Sequence, residues 1–198
     1  MSIQSKPAYI YLEQVKMKKE TGPKERILQT AIRLFHKQGY NTTGINQILD
    51  EANVAKASLY QHYGSKEDVG VEYLKAARVE WFEGLDKWVG QKTSALQKVN
   101  ACFDFLEYAL RSNEFRGCKF INMMAEVGDS SPALYQQIVE HKTKLRMYFH
   151  NLIQDMDNET LGDTIYILFE GAIVECKIHK DVWPIKTAKK MIKQLLKA

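Results

Sequence analysis

The residues best equipped for chemistry lie between positions 43 and 66. The stretch from Thr43 to Tyr60 reads as two short helices joined by a tight turn. The side of the second helix carrying Lys56, Ala57, Ser58, Tyr60 and Gln61 is small or polar. Small side chains let a helix seat deeply in the major groove of a duplex. There Lys56 and Ser58 can hydrogen-bond base edges, and Ala57 can meet a thymine methyl. Tyr60, His62 and Lys66 supply donors at the spacing of phosphates flanking a groove.

Other chemistry finds little support. His141 and His150 stand nine residues apart on one predicted helix, which puts them on opposite faces. They therefore do not suggest a metal site. His36 and His179 read as surface residues. Cys102, Cys118 and Cys176 are odd in number and lack the spacing of zinc ligands, so reduced thiols are expected. No phosphate-binding loop and no nucleophile–base arrangement can be read. We expect no enzyme activity, no cofactor and no metal.

Helical spacing must position these groups, because no segment alternates like a strand. Ile27, Leu28, Ala31, Leu34 and Phe35 form one amphipathic stripe, with Pro23 in the first turn and Gly39 past the end. Ile45, Ile48, Leu49 and Ala52 mark the next helix, with Thr43 expected as its N-cap. Asn53 suits the left-handed turn that follows. Ala55–His62 predicts a third helix with Val54 and Leu59 inward, and Ser65 opens a long one ending at Gly90. Further helices are expected around Leu96–Leu110, Phe115–Val127, Ala133–Gln154 and Leu161–Ile178. A last one follows Trp183-Pro184. The expected class is all-α, with about nine helices.

Composition agrees with a folded chain. Of 198 residues, 45% are apolar and 26% charged, near the globular average, which excludes wholesale disorder. That length suits one domain or two small ones. No signal peptide is visible, and the most apolar run, Ile165–Val174, is too short to span a bilayer, so an intracellular protein is expected. Residues 1–70 carry ten basic against seven acidic side chains, residues 71–180 thirteen against sixteen, and residues 181–198 five against one. A basic first part on a mildly acidic body points to a polyanion partner for that part.

Arg26-Ile27-Leu28, Ala31, Leu34-Phe35, Gly39-Tyr40, Thr43, Val54, Lys56, Leu59-Tyr60, His62-Tyr63 and Ser65-Lys66-Glu67 resemble the DNA-binding domain of the TetR family of transcriptional regulators. The resemblance covers roughly residues 24–75. It implies that Lys56, Ala57 and Ser58 face bases, that Thr43, Tyr60, His62 and Lys66 hold phosphates, and that Asn46 and Gly44 lie beside the groove. Three positions depart from the family pattern. Asn53 stands where glycine is usual, Ala55 where a capping serine is frequent, and Ala57 where glycine is frequent. The basic arm Lys16, Lys18 and Lys19 reads either as a solvated tail or as a groove contact.

The resemblance implies two domains, a DNA-binding part at 1–70 and an effector-binding and dimerising part at 71–198. It places a small-molecule cavity among the central helices. Candidate wall and anchor residues are Phe103, Cys118, Asn122, Met123, Glu126, Phe149, Tyr166 and Phe169. For Asn122 and Glu126, four apart on one helix, the plain alternative is a solvent edge of helix core. Residues 161–178 and 184–197 read as intramolecular core or as the interface of a homodimer. A dimer would present two reading heads to a palindromic operator in a cytoplasmic duplex. The expected function is a ligand-responsive repressor, with a helical scaffold of only non-specific DNA affinity as the alternative.

Overall fold

The computed structural model describes residues 21–156 and 160–196, and these contain nine α-helices and no strand. They are α1 (Pro23–Gln38), α2 (Ile45–Ala52), α3 (Lys56–His62), α4 (Lys66–Val89), α5 (Ala95–Ser112), α6 (Lys119–Val127), α7 (Pro132–Leu152), α8 (Leu161–His179) and α9 (Trp183–Leu195). A single 3-10 turn, Gly128–Ser130, separates α6 from α7. The all-α expectation holds. The basic arm Lys16, Lys18 and Lys19 lies outside the described residues. None of the described helices is long and apolar enough to cross a membrane.

The chain divides into two compact units. Among the described residues, the first comprises 21–80 together with Lys119–Val139. In it α1 buries the stripe Ile27, Ala31, Leu34 and Phe35, against which α2 places Ile48, Leu49 and Ala52 and α3 places Leu59. Removing one such side chain, as in Leu34→Ala, typically costs about 2–5 kcal/mol. Val69, Tyr73 and Leu74 of α4, Phe120 and Met123 of α6 and Leu134 of α7 complete this core. Gly70 lets α4 pass close to its neighbours, since a Cβ there would lie 3.0 Å from both Leu134 Cδ2 and Tyr40 Cε2. Polar staples fix the same unit. Lys119 donates to Glu80 at 3.0 Å, with both side chains largely buried, and Arg78 donates to Gln137 at 3.1 Å.

The second unit comprises Trp81–Cys118 and the described residues from Glu140 onward. Phe103, Phe149 and Phe169 form its centre, with Phe169 5.1 Å from each of the other two rings. Leu85, Leu106, Leu145, Ile165, Ile185 and Ile192 surround them. Helix α5 begins with a full capping box, in which Ser94 Oγ accepts from Gln97 N at 3.3 Å and the Gln97 side chain accepts from Ser94 N. Helices α8 and α9 pack against each other across a short connection. Lys180 turns it in the left-handed conformation, and Asp181 Oδ1 accepts from Trp183 N at 2.9 Å.

One helix start differs from expectation. The apolar run from Phe115 predicts a helix there, yet α6 begins at Lys119. Glu114 and Phe115 both adopt φ near +55° and Gly117 φ +80°, so three left-handed residues in four break the helical path. Gly117 has a second reason to be glycine, because a Cβ would lie 2.7 Å from Lys177 Cδ.

Candidate nucleic-acid interface

Helices α2 and α3 form a helix-turn-helix in the first unit. Asn53, at φ 51° and ψ 56°, supplies the left-handed residue between them, as expected of an asparagine. Its N–H donates to Asp50 O at 3.1 Å and Val54 N–H donates to Leu49 O at 3.0 Å, closing the end of α2. One side chain from outside the motif then locks the turn. Arg26 of α1 donates from Nε to Ala52 O and from Nη2 to Asn53 O, each at 3.2 Å, and from Nη1 to Thr21 O at 3.2 Å. The Ala52 and Asn53 carbonyls lie at the negative end of α2, where a fixed cation is favourable.

Helix α3 is anchored from beneath by Leu59, fully buried, and by Tyr63 just beyond it. The Tyr63 hydroxyl donates to Lys24 O at 3.1 Å, and burial, with Glu72 and Glu25 nearby, pushes its pKa up to about 12. The opposite side of α3 is bare: Lys56, Ala57, Tyr60 and Gln61 are exposed, and Ser58 and His62 half-buried. Asn46 of α2 and Gly44 are exposed as well. The structure therefore brings Asn46, Lys56, Ala57, Ser58, Tyr60 and His62 to the two helices of one motif. Ala55 precedes α3 without a side-chain cap. Beside His62 an open groove of about 270 Å³ is lined by residues of both charges, among them Lys24, Asp68, Glu72 and Lys75.

Thr43 corrects an expectation. Gly44, not Thr43, is the N-cap of α2. The Thr43 side chain is fully buried, and its hydroxyl donates to Gly39 O at 2.6 Å. It builds the loop that precedes the motif and has no surface to offer a phosphate. Lys66, in contrast, stands where expected at the start of α4, where Ser65 Oγ accepts from Asp68 N at 3.1 Å. Its Nζ lies 4.2 Å from the centre of the Tyr40 ring. Burial lowers its pKa and the charge of Glu126 opposes that effect. Sequence reasoning assigned no role to Arg26 or Tyr40. Tyr40 packs on Phe35, with ring centroids 5.1 Å apart, and burial beside Glu67 and Asp68 raises its pKa to about 12.

The eight candidate cavity residues fall into different units. Asn122, Met123 and Glu126 belong to the first, and Phe103, Cys118, Phe149, Tyr166 and Phe169 to the second. Phe103, Phe149 and Phe169 are fully buried against one another and are the core of their unit rather than an open wall. Met123 is likewise buried. The Glu126 carboxylate is engaged too, because its Oε2 accepts from Asn41 N at 2.7 Å.

The second unit brings together polar groups that lie far apart along the chain. Lys142 Nζ donates to Glu170 Oε2 at 2.5 Å and lies 3.5 Å from Cys118 Sγ. Burial alone would lower the Lys142 pKa, but the neighbouring Cys118 and Glu170 hold it above its usual value. Tyr166 adds to the same field. Trp81 Nε1, Tyr108 Oη and Glu170 Oε1 are buried without a hydrogen-bond partner. Trp81 packs at a tilt on Phe105, Phe105 on Trp88, and Trp88 on Tyr108, at centroid distances of 4.9–6.3 Å. His141 is buried, whereas His150 Nε2 donates to Asp163 Oδ1 at 2.7 Å, so the two histidines have separate surroundings. Among the described residues no cluster of metal-ligating side chains occurs.

Residues 27–72 match the family described as bacterial regulatory proteins, tetR family. Residues 95–191 match the C-terminal domain described as transcriptional regulator LmrA/YxaF-like. The HTH-type transcriptional regulator LmrA of Bacillus subtilis is 50% identical over 50 residues, a stretch covering 25% of this chain and 27% of that protein. The HTH-type transcriptional repressor DhaR of a Mycobacterium species is 20% identical over 83% of this chain and 87% of its own. Among solved structures, the regulator SCO4454 of Streptomyces coelicolor superposes with a TM-score of 0.80 at 27% identity, covering 88% of both chains.

Proposed function

We propose that this chain, which belongs to the TetR family, is a DNA-binding transcriptional regulator that acts as a dimeric, ligand-responsive repressor. One observation carries the reading: α3 is held from beneath by Leu59 and Tyr63 and from its turn by Arg26, while Lys56, Ala57 and Tyr60 are left bare. A helix so presented can enter a major groove, with Lys56 and Ser58 reading base edges and Tyr60, His62 and Lys66 meeting phosphates. Asn46 and Gly44 flank the same surface. The DNA-binding part corresponds to residues 1–70 and the effector-binding and dimerising part to residues 71–198. The repressor sense is supported by DhaR, which is named a repressor.

Dimerisation through α8 and α9 is supported by apolar side chains left in solvent. Ile167 (66%), Val174 (44%) and Ile178 (64%) lie along one face of α8, and Trp183, Met191 and Leu195 of α9 are exposed also. Gly171 falls on the α8 face, and a Cβ there would meet nothing within 4 Å, leaving a notch for a close helix approach. Two heads related by a two-fold axis would read half-sites ~34–36 Å apart or a multiple of that. Effector binding is assigned to the second unit, where Lys142, Cys118, Tyr166 and Glu170 form a polar insert and Trp81 and Tyr108 hold buried donors without partners. The setting is the cytoplasm, with neither cofactor nor catalysis.

Selection of random-sequence duplexes on the purified protein near physiological salt tests the reading. A palindromic consensus bound by one dimer is expected. Recovery without consensus, and binding that fades uniformly with salt, would replace it with a non-specific helical scaffold.

A further inference from the structure

We infer that Glu126 is a positioning residue for DNA binding: its carboxylate anchors the Gly39–Gly44 loop, from which the helix-turn-helix begins. The inference rests on the DNA-binding reading and concerns the first unit alone. Glu126 Oε2 accepts from Asn41 N, and Asn41 Nδ2 donates to Glu126 O, both at 2.7 Å, between residues 85 apart in sequence. The fit is close on the other side as well. Gly39 has φ +93°, and a Cβ there would lie 2.8 Å from Glu126 Oε1 and 3.0 Å from Oε2.

The place of Glu126 on its own helix is unfavourable. It stands in the last turn of α6, where the helix dipole disfavours an anion, and that turn has no basic side chain. The Asn41 amide supplies what the helix does not. A carboxylate placed against its helix dipole and aimed at a backbone N–H of another segment is a tether rather than a helix stabiliser.

The loop transmits what holds it. Thr43 N donates to Tyr40 O at 3.2 Å, Thr43 Oγ1 to Gly39 O at 2.6 Å, and Ile48 N to Gly44 O at 3.2 Å. With so many internal bonds the loop moves as one piece with the first turn of α2. Tyr40 belongs to it, and Lys66 rests on the Tyr40 ring. Fixing the loop therefore fixes both the start of α2 and the ammonium that would meet a phosphate, on which Glu126 itself acts through its charge.

The test uses the full chain, with Glu126→Ala and the conservative Glu126→Gln, which keeps an acceptor oxygen. Two readouts are taken: amide hydrogen exchange at Asn41, and affinity for the selected duplex across a salt series. In Glu126→Ala the Asn41 amide should exchange roughly ten-fold faster and the Kd should rise roughly ten-fold, the equivalent of one charged hydrogen bond lost. The slope of log Kd against log salt should not change, because no phosphate contact is removed. Glu126→Gln should recover most of both. Asn41 exchange equal to wild type, an unaltered Kd despite faster exchange, a changed slope, or equal losses in Ala and Gln variants would each overturn the assignment. If selection yields no consensus the regulator reading has failed, and exchange together with affinity for a random-sequence duplex still decides the anchor.

Discussion

Lys66 Nζ sits 4.2 Å from the centre of the Tyr40 ring, so the first cation of α4 rests on an aromatic face, with the charge of Glu126 favouring its protonated form. A cation–π contact contributes on the order of 0.5–2 kcal/mol while leaving the ammonium protons available to a second partner. This suits a group that must be pre-placed and still able to meet a phosphate. Lys66→Ala should weaken operator binding and flatten the salt dependence by about one ion. Tyr40→Leu should weaken binding while keeping the slope, because the charge remains. Fluorescence anisotropy over a salt series separates the two, and a wild-type slope for Lys66→Ala would remove Lys66 from the interface.

Tyr60 is 57% exposed on α3, next to the fully buried Leu59. Tyr60→Ala should leave stability within about 0.5 kcal/mol of wild type, as for most surface changes. Operator affinity should fall several-fold. Thermal melts and a binding isotherm on the same preparation check this, and unaltered affinity would contradict the docking orientation of α3.

Gly84, inside α4, reverses the usual sign of a helix-interior Gly→Ala change. Helix propensity favours alanine by about 1 kcal/mol. Yet the new Cβ would lie 2.4 Å from Phe105 Cζ, and Phe105 is only 2% exposed and packed on Trp81. Overpacking costs about 1–3 kcal/mol, so Gly84→Ala should be destabilising on balance. A raised urea midpoint for the variant would show that the Phe105 ring relaxes freely.

Ile167→Glu and Ile178→Glu place charge at two positions of α8 that are 66% and 64% exposed. Neither removes buried contacts, so far-ultraviolet circular dichroism should match wild type. Sedimentation equilibrium should report a dimer for the unaltered protein and a monomer for each variant. Variants that remain dimeric would relocate the interface away from this face.

The pH dependence of the second unit should carry the mark of Asp163. Arg146 donates to both its oxygens, at 2.6 and 2.7 Å, and His150 bonds it at 2.7 Å. These hydrogen bonds, Arg146 first, hold its carboxyl well below the usual carboxylate range. A depressed native pKa gives stability that is complete above the unfolded value of about 3.9 and is lost as the pH falls below it. Asp163→Asn should thus lower Tm at neutral pH, and the gap should close between about pH 5 and 2. Parallel Tm curves for the two proteins would exclude this linkage.

What could be read in advance follows the range of the interactions. The motif was legible because its signals are local: the apolar period of α1, the asparagine between α2 and α3, and the serine before α4. Thr43 misled because a threonine before a helix signals a cap, whereas here its hydroxyl turns back to Gly39. The start of α6 was missed because the sequence does not announce that Glu114 and Phe115 take left-handed backbone. Phe103, Phe149 and Phe169 come from three helices, and no spacing within one helix tells a packed aromatic centre from a cavity wall. The link between Asn41 and Glu126 spans 85 residues and has no periodic trace at all.

The grip of Arg26 on Ala52 O and Asn53 O bears on how small a piece of this protein could read DNA. The guanidinium reaches acceptors 26 and 27 residues ahead of it. The angle between the two helices of the motif is thus not encoded within them. A peptide spanning only residues 43–64 would keep the asparagine turn but lose the clasp that closes it. Transplanting the recognition helix into another scaffold would therefore require transplanting the first turn of α1 as well. Lysine is a poor substitute in such a graft, since one ammonium cannot reproduce the planar fork that holds several carbonyls at once.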